Sequence, residues 1–142
     1  MKVIVYKTED GVSVITPVAD IPLTHALHLT VPSNAEYVVI NDGDLPDGYF
    51  RDAWEISNNA VVVNVERAKN LQYNFWRVSR SRKLKELDYQ FMIALETDNK
   101  NMIERIKLKK TALRDITKIE LPDSVLAIKN TWPEILNDDT SD

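Results

Sequence analysis

The chain has 142 residues, 44% of them apolar and 28% charged, which is the ordinary range for a globular protein of one domain, with or without an extension. It contains no cysteine, which removes disulfides, thiolate nucleophiles, CxxC redox pairs and cysteine zinc sites together. The formal net charge of -4 is unevenly spread, with 3 basic and 9 acidic side chains in residues 1–60, 13 and 7 in residues 61–115, and 2 and 6 in residues 116–142. The middle third is therefore a basic element between two acidic ones, a pattern that suits either nucleic-acid binding or attraction between parts of one protein. No apolar run approaches the roughly 20 residues of a membrane span. Met1–Tyr6 is followed at once by Lys7, Glu9 and Asp10, which is not the pattern of a secretory signal, so the expectation is a soluble, cytoplasmic protein.

The first 64 residues read as short strands separated by turn chemistry. Lys2–Tyr6 and Val12–Thr16 flank Glu9-Asp10-Gly11, where a glycine can supply the positive φ of a tight hairpin, and Pro17 ends the second strand. Ile21–Leu29 reads as two helical turns with Pro22 near the start, and Tyr37–Ile40 as a third strand. Phe50–Ile56 and Ala60–Val63 form a second hairpin around Ser57-Asn58-Asn59, because asparagine tolerates the left-handed region better than most residues. A unit of this size buries only a thin core.

From Val65 the apolar period changes. Asn64 is a candidate N-cap for a helix running to Glu96, roughly 48 Å long at 1.5 Å per residue. Thr97-Asp98-Asn99 offers a break and a new cap, so residues 99–116 form a second, antiparallel helix of about 27 Å. Pro122 stops any continuation, Asp123 or Ser124 caps a short third helix through Ile128, and Trp132-Pro133 begins a last ordered turn before an acidic tail. The expected fold is thus α+β, with a small antiparallel β unit over 1–64, a long-helix αα-hairpin over 65–117, and a C-terminal segment over 118–142 that packs back through Trp132.

Residues placed at 100° intervals show what the long helix must face. Tyr73, Trp76, Leu84, Leu87, Phe91 and Ala94 share one stripe, interrupted by Arg80, and meet Met102, Ile106, Leu113 and Ile116 of the second helix, interrupted by Lys109. The second helix is too short to reach back beyond about residue 80. Tyr73 and Trp76 are left for the β unit, the Trp132 segment or another chain to cover. On nearly the opposite side Ala68, Leu71, Phe75 and Val78 form a second apolar stripe, and two apolar faces need two partners. The hairpin register places Asp115 opposite Arg80 or Arg82.

Candidate chemistry is sparse. His25 and His28 share one helical face without a third ligand. Asp42, Asp44 and Asp47 resemble the start of a calcium loop, but Ala53 stands where the bidentate Glu belongs. No phosphate-cradling glycine motif occurs. No nucleophile with a nearby base can be assembled, so neither catalysis nor a cofactor is expected. Residues 67–85 carry seven cations (Arg67, Lys69, Arg77, Arg80, Arg82, Lys83, Lys85) and no acid, interleaved with Tyr73, Phe75 and Trp76. That pattern suits a nucleic-acid surface, although the acidic net charge argues against it. The candidate partner-binding residues are Ala68, Leu71, Tyr73, Phe75, Trp76, Val78, Arg77, Arg80 and Arg82, with a second copy of the chain as one candidate occupant.

Arg77, Arg80 and Arg82 leading into Leu87-Asp88-Tyr89, then Ala112-Leu113-Arg114-Asp115, then Trp132-Pro133, follow one another in an order and spacing that resembles the tail assembly chaperones and tail fibre assembly proteins of tailed bacteriophages. Gly11–Pro17 and Phe50–Trp54 look like the leader that precedes this hairpin in such proteins, while Lys109 stands where the family carries an aromatic. The resemblance implies a non-enzymatic role in building the tail or its fibres, with a phage tail or tail-fibre protein as partner, in the host cytoplasm during assembly or associated with the virion. A nucleic-acid-binding hairpin and a stable virion component are the alternatives.

Overall fold

A computed structural model describes residues 1–137 of the chain, and the fold is mixed α+β. The chain divides into two units, Met1–Leu71 and Gln72–Asp142. The acidic run expected beyond Asn137 lies outside the described residues.

In the first unit β1 (Lys2–Lys7) is the central strand of an antiparallel sheet, between β2 (Val12–Ile15) and β3 (Tyr37–Asn41). Val3, Ile4 and Val5 are buried in succession, as a strand covered on both faces requires. α1 (Leu23–Thr30) starts after Pro22, whose fixed φ suits the entry to a helix. A second antiparallel pair is formed by β4 (Trp54–Ser57) and β5 (Ala60–Val63), in the register Trp54 to Val63 and Ser57 to Ala60. The two residues between them, Asn58 and Asn59, take φ of 52° and 62°. Both central residues are therefore left-handed, the geometry of the tight hairpin turn that matches strand twist. Val3, Val5, Val38, Trp54 and Val61 make the core of this unit, with Val12, Val14, Ile40 and Ile56 packed against it.

One local expectation in this unit holds and one differs. Gly11 takes the expected positive φ, at 158°, and the β1–β2 turn is closed by the Thr8 N–H donating to the Gly11 carbonyl at 2.9 Å. The strand expected from Phe50 begins only at Trp54, because Gly48–Ala53 coils into 3-10 turns. The Asp47 carboxylate accepts from the Tyr49 N–H at 3.1 Å and sets that coil, which buries Phe50 and Ala53.

Asn64 joins the second hairpin to the long helix α2 (Val65–Glu96). Its N–H donates to the Ala53 carbonyl at 2.8 Å, its side-chain oxygen accepts from the Arg67 N–H at 3.0 Å, its carbonyl accepts from the Ala68 N–H at 2.9 Å, and its amide nitrogen donates to Glu55 Oε2 at 3.1 Å. It is the N-cap expected from its position. The Arg67 guanidinium donates to the Asp10 carbonyl, so the first cation of the basic stretch serves the β unit.

In the second unit, α2 turns at Asp98 (φ 51°) into the antiparallel α3 (Lys100–Arg114). Asn99 caps α3 by accepting from the Met102 N–H at 3.2 Å. Leu87 and Ala94 of α2 are buried with Ile106 and Leu113 of α3, and Lys110 of α3 pairs with Asp88 while lying 5.0 Å from the Phe91 ring centre. α3 ends at Arg114 and passes through a 3-10 turn, Ile116–Lys118, to α4 (Val125–Asn130) and a final turn, Glu134–Leu136. Asp115 caps α3 and pairs with Lys118 at 3.1 Å, and among the described residues it makes no ion pair with Arg80 or Arg82, the residues expected opposite it. The tight turn after the cap brings Lys118 within reach first, since residues three apart on a helical turn are neighbours.

The stretch of α2 that α3 is too short to cover meets the C-terminal segment. Gln72 Nε2 donates to the Thr131 carbonyl at 2.9 Å, the Tyr73 hydroxyl to the Ile119 carbonyl at 2.7 Å, and Lys83 Nζ to the Asn137 carbonyl at 2.8 Å. Tyr73 meets Trp76 edge to face at 5.2 Å. The buried side chains of the segment are Leu121, Ile128 and Leu136, while Trp132 is 37% exposed.

Candidate partner-binding face

The nine candidate residues separate by burial. Ala68 and Trp76 are fully buried and belong to the core, so neither is available to a partner. Leu71, Tyr73, Phe75 and Arg80 are half-buried, and Tyr73 is held by its bond to Ile119. Val78, Arg77 and Arg82 are exposed. Arg77 Nη1 donates to Asn74 Oδ1 at 2.7 Å, one turn back along α2.

Exposed apolar residues continue beyond the stripe read from the sequence. Val78 is 65% exposed, Tyr89 67% and Met92 61%, with Ile93 beside them. Val78, Arg82, Lys85, Tyr89, Met92 and Glu96 follow one another at alternating steps of four and three, the spacing of a coiled-coil seam. This is the outer face of α2, about 180° from the line through Leu87 and Phe91. The stripe read from the sequence ends at Val78, and Arg82 and Lys85 interrupt its continuation. The unbroken four-three spacing through Glu96 was the signal that could have extended it. Arg80, Arg82 and Lys85 make no ion pair with any described residue.

Elsewhere the surface offers little chemistry. A groove of about 220 Å³ on the inner side has Leu87, Leu113 and Ile135 among its walls with Lys83, Glu86 and Lys109, and no hydroxyl or imidazole among the described residues. A cavity of about 270 Å³ in the first unit gathers Lys7 and Arg67 with Glu9, Glu36 and Glu55 beside Trp54, whose indole N–H is shielded from solvent and unpartnered. His25 and His28 lie exposed on α1, Asp42 meets the Met1 amine at 3.3 Å, and Asp47 caps its own turn. Among the described residues no three His, Asp or Glu side chains gather as a metal-binding group, and no helix is long and apolar enough to cross a membrane.

Comparisons with protein-family models, with curated proteins and with solved structures find no match.

Proposed function

We propose that the chain is a non-enzymatic assembly chaperone for a tail or tail-fibre protein of a tailed bacteriophage, acting in the host cytoplasm and binding its client through the outer face of α2. The observation that carries this reading is the exposed row of Val78, Tyr89 and Met92 around Arg82 and Lys85. Full burial of a side chain such as Val or Met is worth about 1.5–3 kcal/mol relative to leaving it in water. An outward apolar row therefore suits a partner surface that completes it. The cations beside it steer an acidic partner into register. The client class comes from the resemblance of the arginine-rich helix, the leucine-aspartate-tyrosine step and the tryptophan-proline close.

The test is co-expression with the tail or fibre protein encoded by the neighbouring reading frame. A stoichiometric complex that Val78→Asp and Met92→Asp each weaken at least tenfold supports the reading. No complex with that protein, together with salt-dependent binding of DNA or RNA, replaces it with the nucleic-acid alternative.

A further inference from the structure

Resting on the reading above that this face binds a client, we infer that the occupant of the outer face of α2 between Val78 and Glu96 is an acidic amphipathic helix of the partner, carrying carboxylates opposite Arg82 and Lys85. The exposed seam is 19 residues long, about 28 Å. Its ends are apolar on one side (Val78) and apolar with an acid on the other (Tyr89, Met92, Glu96), and its centre is two consecutive cations, Arg82 and Lys85. An incoming helix meets such a seam with apolar knobs at both ends. At the centre it must supply counter-charge, because a cation taken out of water without a partner costs more than its apolar neighbours return. Polar residues at seam positions set register and partner choice for the same reason.

A second copy of this chain, paired along the whole seam, does not supply that counter-charge. Parallel pairing stacks Arg82 on Arg82 and Lys85 on Lys85. Antiparallel pairing over the whole exposed length sets Arg82 against Met92 and Lys85 against Tyr89, with no carboxylate opposite either cation. Among the described residues of the chain itself, no carboxylate pairs with these two cations. The charge pattern therefore selects a foreign acidic helix over self-association.

The probe is a synthetic peptide of three heptads with leucine at the seam positions, two glutamates at the central pair and neutral residues elsewhere, compared with a twin carrying lysine at that pair. Central placement of the pair serves either helix orientation. With the full chain, the glutamate peptide is expected to bind at least tenfold more tightly than the lysine peptide. The double variant Arg82→Glu, Lys85→Glu is expected to reverse that preference, with its folding checked by circular dichroism. Equal binding of the two peptides, or no binding by a folded chain, overturns the inference. Sedimentation that finds a dimer dissociated by Val78→Asp also overturns it, because the face then belongs to a second copy. The two readings fail separately. Capture of the tail protein that is indifferent to the Arg82, Lys85 double variant overturns the helix inference and leaves the assembly role standing. Charge-selective peptide binding without capture of any tail protein supports the helix inference and removes the assembly role.

Discussion

Between Gln72 and Glu96 the two faces of α2 carry apolar side chains at the same helical spacing, yet one face is core and the other is surface. Gln72, Trp76, Leu87 and Ala94 are buried, whereas Val78, Tyr89 and Met92 stand in solvent. The difference lies in what the rest of the unit supplies. α3 covers the part of the inner face near the turn, and the C-terminal segment covers the part near Gln72, offering the carbonyls of Ile119, Thr131 and Asn137 to Tyr73, Gln72 and Lys83. The outer face has cations at two successive seam positions, and charged side chains are almost never fully buried unless paired. Apolar period shows that a helix has faces; the polar residues interrupting each face show which one the chain keeps for itself.

The sharpest way to break the comparison is to truncate one aromatic on each face. Trp76→Ala removes a fully buried indole, and large-to-small changes of that kind cost about 3–5 kcal/mol. Tyr89→Ala removes a ring that packs on little, and is expected to stay within about 0.5 kcal/mol of the parent. Urea unfolding followed by circular dichroism reads both. A cost above about 2 kcal/mol for Tyr89→Ala would mean that the outer face contributes to folding, which the comparison denies.

Gln72 tests how the inner face is closed. It is the one buried polar residue among those described, and its side-chain amide holds the Thr131 carbonyl. Gln72→Ala leaves that carbonyl without this donor, a loss of about 1–3 kcal/mol when the acceptor stays buried. Hydrogen exchange should show faster exchange at α4 and around Thr131 than at the α2–α3 turn. A uniform change across the unit would instead mean that Gln72 acts through general packing.

How much of this was legible in the sequence follows from the range of the forces involved. The ends of α2 are written locally, in Asn64 at its start and in Asp98 and Asn99 at its turn, and the observed helix, Val65–Glu96, has the limits read from those residues. The Asn58-Asn59 turn was legible because only a few residue types accept left-handed φ at two successive positions. The inner stripe was legible from period, and the shortness of α3 showed that a third element had to cover Tyr73 and Trp76. What was missed depended on competition between neighbours. Asp47 captures the Tyr49 N–H and coils Gly48–Ala53 where alternation suggested strand. Asp115 finds Lys118 before it can find an arginine across the hairpin. Ala68 and Trp76 belong to their apolar stripes by spacing, but burial removes both from any partner contact. Asn99→Ala measures the legible kind of information directly. It removes a capping oxygen and is expected to cost about 1 kcal/mol in urea unfolding, while Asn99→Asp, which keeps the acceptor, is expected to cost less than half of that.

The smallest expected effect lies on the border between the two faces. Asp88 falls about midway in angle between the line through Leu87 and Phe91 and the line through Tyr89 and Met92. Its carboxylate is largely in water, with the side chain 65% exposed, while the Lys110 side chain that reaches it is only 16% exposed. The ammonium of Lys110 also lies over the Phe91 ring, so it has a second favourable contact that does not need Asp88. Asp88→Ala alone is therefore expected to cost at most about 0.5 kcal/mol, as an exposed ion pair should. Lys110→Met should cost little more, because the methionine keeps the stem packed on Phe91 while losing both electrostatic contacts. A double-mutant cycle of the two isolates their mutual term, expected at about 0.2–1 kcal/mol in low salt and close to zero in 1 M salt, where the screening length falls to about 3 Å. A coupling that survives high salt would place Asp88 with the buried inner face, and would move the border between core and docking surface one residue further around the helix.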